Sequence, residues 1–367
     1  MPQTIEALET SIEGLKLYKA GLPKFNRVFA RDAIISALLL KDMEMLKNSL
    51  KFCALTQGRK KDKVTGEEPG KIFHEWPGVT LEGRGNYLTT YNASETTALF
   101  IIGIMEYENN TKDTSLREFL QPNINAALSY IIRHINDTGL FVIDPLFSGA
   151  ENFCLRVTYW KDSKLVDRDG GEPAYPVIYP LVHIQYLCAI RLLSKKLKDD
   201  SLKEMYKTMR DALEKIIDDD GVFYLAVDKH GPIQGISSDL LHSLYFLDKE
   251  DLKKKSLPDI ISKIREKSSA LETDIGYRTM DPSLASTVDY TYHTTTVWPF
   301  EQAIIHAGAA KFGLEHEQEV ALRIVEHIQD NDAEIFNVSV DGVRFVKGGC
   351  DPQLWTIAAR DYFSRLN

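Results

Sequence analysis

Cysteine is scarce in this chain and scattered. The 367 residues hold four, Cys53, Cys154, Cys188 and Cys350, with no CxxC and no Cys/His cluster. Neither a disulfide framework nor structural zinc is expected from that spacing. No uncharged run is long enough for a membrane-spanning helix. The opening MPQTIEALETSIEGL lacks a basic stretch followed by an apolar one, so no secretory signal is expected and the cytoplasm is the expected compartment. Long basic stretches are missing too. With 44 Lys and Arg against 53 Asp and Glu, the formal charge is −9, which argues against nucleic acid or an anionic membrane as partner. There is no GxGxxG after a strand, no GxxxxGKS or GxxxxGKT, no HExxH and no GxSxG. The nine histidines are dispersed, and none has helical metal spacing with another. No metal or organic cofactor is expected.

What the chain has is ordinary globular composition, 44% hydrophobic and 26% charged, and recurrent helical periodicity. The apolar spacing predicts helices over 3–19, 31–41, 44–56, 94–108, 114–135, 176–197, 200–216, 237–247, 250–267, 296–312, 316–329 and 352–366. Turns as short as Lys198-Asp199 favour antiparallel neighbours. Twelve helices make six hairpins. The pairs do not resemble one another as solenoid repeats do. The expected fold is therefore all-α: one domain over residues 1–367, six hairpins closed in a ring. Two β-type segments, 222–227 and 335–346, read as pieces of hairpins. Four long loops, 57–93, 138–175, 268–295 and 330–351, are expected to gather at one end as a pocket.

Those loops and the helix starts beside them carry acids among aromatic rings. Phe29-Ala30-Arg31-Asp32 opens a helix; Arg31 and Asp32 suit sugar hydroxyls, although an ion pair at a helix start is the plainer alternative. The segment from Glu68 to Trp76 packs His74, Glu75 and Trp76 together. Tyr91 and Glu95 stand where a loop enters a helix. Tyr159-Trp160-Lys161-Asp162-Ser163 sets an acid beside Trp, where partial desolvation raises a carboxyl pKa as a general acid requires. His293, Trp298 and Glu301 cluster around the start of the helix at 296–312, and Glu334 precedes a hairpin strand. Aromatic faces suit the C–H surfaces of a sugar and carboxylates suit its hydroxyls. Two carboxylic acids are thus the simplest chemical machinery, and a small oligosaccharide or glycoside the expected partner.

The ordered set of segments resembles the amylo-α-1,6-glucosidase region of glycogen debranching enzymes and the related glucoamylase-like and glucosidase-I-like hydrolases. Phe29-Ala30-Arg31-Asp32 is similar to F-G-R-D in that group, and Glu68 to Glu75 to E-P-G-K-I-x-H-E. Trp160-Lys161-Asp162-Ser163 matches W-K-D-S. Ile236-Ser237-Ser238, Tyr292-His293 with Val297-Trp298-Pro299, Glu334-Ile335-Phe336 and Cys350 to Trp355 resemble further segments in the same order. The resemblance implies an (α/α)6 barrel and an inverting mechanism, with Asp162 as general acid and Glu334 as general base. Glu301 is the alternative base. Compact relatives of this kind include hydrolases of mannosylglycerate or glucosylglycerate. The chain departs from the group at Ala30, at Thr294-Thr295 and at Ala333, which leaves the substrate open. A phosphorylase on the same barrel and an inactive sugar-binding barrel are the competing readings.

Overall fold

The computed structural model describes residues 5–163, 173–252, 257–285 and 292–366. Its helices are α1 (Ala30–Leu40), α2 (Met43–Leu55), α3 (Thr96–Thr111), α4 (Ser115–Phe119), α5 (Gln121–His134), α6 (Pro180–Leu197), α7 (Asp200–Asp211), α8 (Asp239–Phe246), α9 (Leu257–Ser268), α10 (Pro282–Ala285), α11 (Pro299–Phe312), α12 (Glu315–Leu322) and α13 (Leu354–Ser364). Helices α1, α3, α6, α8, α11 and α13 each pack on the next, and α13 packs back on α1. Outside this ring, α2 lies on α1, α5 on α3, α7 on α6, α9 on α8 and α12 on α11. The architecture is an (α/α)6 barrel.

Sequence sorts the helices into their two layers. Inner helix α6 buries residues on all sides, among them Leu181, Ile184, Leu187 and Ile190. Its outer partner α7 buries only Leu202 and Met209, seven positions apart and so on one stripe of an otherwise polar helix. The tight reversals are coded locally. Lys41 ends α1 in the left-handed conformation, φ 54°, and Asp42 then caps α2 by accepting from the Met45 N–H at 2.9 Å. Lys198 (φ 53°) and Asp199, which accepts from the Ser201 N–H at 2.8 Å, repeat the arrangement between α6 and α7. Where α11 crosses α8, a Cβ on Gly308 would lie 2.6 Å from the Tyr245 nitrogen, so only glycine permits that approach.

The sixth outer position is not helical, which corrects the helix expected over 3–19. A 3₁₀ turn, Ile5–Leu8, leads into a hairpin of β1 (Glu9–Ile12) and β2 (Leu15–Tyr18). β2 packs on α2 and the turn on α13. Glu13 and Gly14 both take positive φ, 51° and 74°, which closes a two-residue hairpin turn. That reversal overrides the helical spacing of Leu8, Ile12 and Leu15. The helix expected over 114–135 divides at Leu120, because Pro122 in the first turn of α5 has no N–H for the preceding turn. Of the helix expected over 250–267, residues 250–252 form a turn and α9 is described from Leu257, with 253–256 outside the described residues.

Short strands tie the loops of one end together. β3 (Val28–Phe29) pairs with β4 (Glu75–Trp76), and β5 (Val177–Ile178) with the hairpin β6 (Ala226–Asp228) and β7 (Gly231–Ile233). β8 (Glu272–Thr273) pairs with β9 (Gly276–Tyr277), and β10 (Thr296–Val297) joins β11 (Ile335–Val338) and β12 (Phe345–Gly348). Of the two β-type segments expected from sequence, 335–346 spans β11 and the start of β12, whereas 222–227 overlaps only the first two residues of β6. The N-termini of α1, α11 and α13 open onto this end, where their dipoles favour acidic groups. Among the described residues no helix is long and apolar enough to cross a membrane.

Candidate active site

A cavity of about 270 Å³ opens at this end of the ring. All four long loops line it, through His74 and Glu75, Leu155 and Asp162, Tyr292 and His293, and Glu334. Parts of two of those loops, 164–172 and 286–291, lie outside the described residues.

Asp162 follows a turn-rich segment with no regular structure, and 26% of its side chain remains exposed. Burial pushes its carboxyl up to about 7; the Arg31 cation opposes the shift, and Glu95, Glu75 and Glu334 reinforce it. His293 Nδ1 stands 3.9 Å from Asp162 Oδ1 and shares a 2.7 Å hydrogen bond with Ser163 Oγ. Burial, with help from the Lys161 and Arg31 charges, holds His293 well below 6.5, so the ring beside Asp162 is neutral.

Glu334 comes from the loop before β11 and is 1% exposed. Its Oε2 accepts the Cys350 N–H at 2.8 Å. Its Oε1 accepts from Gln353 Nε2 at 3.2 Å and from the Tyr292 hydroxyl. Burial raises its pKa, while Tyr292, Cys350, the Lys24 charge and Gln353 pull the other way. A carboxyl held by three donors is fixed in orientation even though it is deeply buried.

The same cavity is lined by a second pair. Arg31 and Asp32 occupy the first turn of α1, with Arg31 Nε 3.5 Å from Asp32 Oδ2. Arg31 Nη1 donates to Glu95 Oε1 at 2.6 Å. Burial works against the Arg31 charge, but Glu95, Asp32 and Asp162 outweigh it and hold it protonated. Asp32 is pushed up to about 7 by burial, against Arg31 and with Glu334 and Asp162. Several polar atoms in this wall have no hydrogen-bond partner among the described residues: Asp32 Oδ2, Arg31 Nε, both His74 ring nitrogens and Trp355 Nε1. Unmatched buried groups of this density call for an explanation, and a polyhydroxylated ligand is one.

Of the residues singled out in the sequence, Arg31, Asp32, His74, Glu75, Trp160, Asp162, His293, Trp298 and Glu334 line the cavity. Five others do not, and each is a correction. Trp76 packs its ring against Phe52 and Phe73, at centroid distances of 6.3 Å. Tyr91 is buried and donates to the Thr56 carbonyl at 2.6 Å. Glu95 sits behind Arg31 as its counter-ion. Lys161 is 1% exposed, donating to Ser238 Oγ and the Thr279 carbonyl. Glu301 is 0% exposed and accepts from Ser238 Oγ at 2.6 Å, so it does not face the cavity as a base would. Trp298 borders the cavity but is 1% exposed, with His293 stacked on its face at 4.9 Å and 6°. It is the centre of an aromatic cluster with little face left for a sugar.

Sequence reasoning passed over Lys24, Arg27, Phe29, Gln353 and Trp355, which also line the cavity. Phe29, Gln353 and Trp355 lie in segments already singled out. Phe25, Arg27 and Phe29 lie on the approach to α1, where a turn at Phe25 and a bend at Arg27 lead into β3, and all three line the cavity. Arg27 pairs with Glu75, while Lys24 lies over the Phe25 and Tyr292 rings at 5.0 and 5.5 Å.

No protein-family model matches the sequence, and no curated protein matches it. Solved structures do match by shape. A GH63 mannosylglycerate hydrolase from Thermus thermophilus, in complex with Tris and D-glycerate, superposes with a TM-score of 0.68 over 98% of each chain at 14% identity. The same enzyme with glucose gives 0.67 at 13% identity, over 95% of this chain and 96% of that one. A rhamnosidase from Klebsiella oxytoca with rhamnose bound gives 0.60 at 11% identity, over 95% of this chain and 60% of its own. In fold, then, this chain is an (α/α)6 barrel similar along nearly its whole length to these solved structures.

Proposed function

We propose that the chain is an inverting, exo-acting glycoside hydrolase on a short α-glycoside, with Asp162 as general acid and Glu334 as general base. One observation carries this reading. Two carboxyls from separate loops line a single cavity, and their settings differ as the two roles require. Asp162 is poised near 7 and can hold a proton at neutral pH. Glu334 is gripped by three donors that favour its anion. In the reaction Asp162 protonates the glycosidic oxygen as its bond to the anomeric carbon breaks. Glu334 takes a proton from the water that attacks the opposite face. Arg31 and Asp32 are positioned to hold sugar hydroxyls. The cavity lies just below the roughly 300–1,000 Å³ range of drug-sized sites, which suits a small glycoside. The ordered debranching-enzyme-like segments support the same roles.

A glycoside of glycerate is the second reading, favoured by Lys24 and Arg27 in the lining. Cations there suit a carboxylate on the aglycone, and a mannosylglycerate hydrolase is among the similar structures. The test is a hydrolysis screen over α-linked disaccharides, methyl glycosides and glycosyl-glycerates, with NMR of the first-formed anomer. Inversion at the anomeric carbon is expected. Retention, or turnover only when phosphate is supplied, overturns the mechanism. If Lys24→Ala raises KM about tenfold for glycosyl-glycerates and leaves methyl glycosides unchanged, the glycerate reading stands; equal effects on both remove it.

A further inference from the structure

Asp162 is presented by a stretch that belongs to no helix or sheet, so its position depends on side-chain ties. Three successive residues before it reach for one carboxylate. Tyr159 Oη donates to Asp239 Oδ2 at 2.9 Å. Trp160 Nε1 donates to Asp239 Oδ1 at 3.1 Å. Lys161 Nζ lies 3.0 Å from the same Oδ1. Asp239 itself is the first residue of α8, one of the inner helices, so the anchor belongs to the rigid ring. We propose that Asp239 is a positioning residue: by gathering the donors of Tyr159, Trp160 and Lys161, it fixes the segment that presents Asp162 to the cavity.

The surroundings carry the tie further. Lys161 Nζ also donates to Ser238 Oγ at 2.9 Å and to the Thr279 carbonyl at 3.0 Å. Ser238 Oγ donates to Glu301 Oε1 at 2.6 Å, and His242 Nδ1 lies 3.3 Å from that oxygen. Glu301 stands in the first turn of α11, three residues after Trp298. The network therefore binds the Asp162 segment to α8 and α11 together. Tyr159 is further clamped by Tyr179, stacked at 4.6 Å.

A metal site is the competing explanation, because Asp239, His242 and Glu301 offer ligand atoms within 4.8 Å of one another. Two observations speak against it. The Lys161 ammonium already sits on Asp239 Oδ1, where a divalent cation would meet its charge. The Trp160 N–H is aimed at the same oxygen. The buried lysine supplies the positive charge that the acids need.

This inference rests on the reading of Asp162 as the general acid, and its test separates the two. Misplacing a reacting group by about 1 Å costs roughly 100-fold in rate. Asp239→Asn keeps the size but puts an amide against three donors. It is expected to lower kcat 10- to 100-fold while KM stays within about threefold. It should also move the alkaline limb of the pH profile. That limb reports Asp162 among Arg31, Asp32, Glu75, Glu95, Glu334, His293 and Lys161, none of which is altered. Asp239→Glu should recover part of kcat, and Tyr159→Phe, which removes one donor, should cost less in the same direction. NMR of ¹³C-labelled aspartate and ¹⁵N-labelled tryptophan adds a readout that needs no substrate: in Asp239→Asn the Asp162 titration and the Trp160 indole resonance should both shift. If the parent protein hydrolyses no glycoside, the proposed function fails and the NMR alone decides the tether. Should Asp239→Asn fail to fold, Tyr159→Phe decides it by the same readouts. Unmoved resonances and an unmoved pH limb, whatever happens to thermal stability, overturn the proposal.

Discussion

A Cβ on Gly349 would stand 2.3 Å from Oε2 of Glu334. Gly349 also has φ +75°, a conformation that side chains disfavour. The glycine leaves the space in which Glu334 lies while its Oε2 accepts the neighbouring Cys350 N–H. Gly349→Ala should therefore push Glu334 off its donors. The expected outcome is a fall in kcat of about 100-fold or more, the scale of losing a general base, in a protein that still folds. Steady-state kinetics beside circular dichroism checks it, and normal turnover would remove Glu334 from the mechanism.

Asp162→Asn and Glu334→Gln should each lower kcat by about 10²–10⁴-fold with the fold intact. Glu301→Gln is the control, because Glu301 bonds Ser238 behind the cavity wall. It should lower thermal stability and, by loosening the network behind Asp162, lower kcat far less than Glu334→Gln does. A Glu334→Gln variant with near-normal turnover, beside a Glu301→Gln variant without it, would reassign the base. The reading also requires a separation of about 6.5–9.5 Å between the carboxyls of Asp162 and Glu334, the room an inverting enzyme leaves for water.

Acidity follows from the same wall. Asp162 and Asp32 are both raised to about 7, chiefly by burial, and the charge of Asp162 adds to the rise of Asp32. Activity that needs protonated Asp162 should fall as pH rises through about 7, and the acidic limb should lie above the ordinary glutamate range because Glu334 is raised. The stability sign is opposite to that of most acids. Both groups bind a proton more tightly folded than unfolded, so their contribution is full below the ordinary aspartate value of 3.8 and is lost as pH rises toward 7. Asp32→Asn should therefore raise Tm at pH 8 relative to its effect at pH 4, while weakening sugar binding. Differential scanning fluorimetry at the two pH values measures this; an equal shift at both would contradict it.

Trp298→Ala should act on the fold rather than on sugar affinity. The ring is covered by His293 and touches Trp160, Phe300 and Trp355 at centroid distances of 5.8, 6.1 and 5.5 Å. Truncating a buried aromatic costs about 3–5 kcal/mol. Chemical denaturation gives that number directly, and a stable variant that merely binds sugar less well would restore the stacking role.

The ring was legible in the sequence because five of its six outer positions are filled by helices with clear apolar spacing. The turn residues Lys41-Asp42 and Lys198-Asp199 announce their reversals locally. Glu13-Gly14 announces one too, but there the helical spacing of Leu8 and Ile12 outweighed a two-residue signal. In the cavity wall, type and segment were readable and direction was not. Glu301 and Lys161 have the chemistry of ligands for a sugar, yet they point into each other's neighbourhood, because α8 and α11 bury that side. Lys24 was invisible because an exposed lysine on a loop looks like any other until β3 pairs with β4 and the rings of Phe25 and Tyr292 gather beneath it.

The barrel closes where α13 meets α1, and Arg365 Nη1 there reaches the Leu40 carbonyl, 325 residues away in the chain, at 3.4 Å. A polypeptide emerging from the ribosome makes the α1, α3 and α6 contacts long before α13 exists. Until then the sides of α1 and α11 that α13 covers have no neighbour, and Gln353, which donates to Glu334, has yet to be made. Closure of the ring and support of Glu334 are therefore supplied by one segment: α13 seats against α1 and α11, and Gln353 just before it holds the carboxyl.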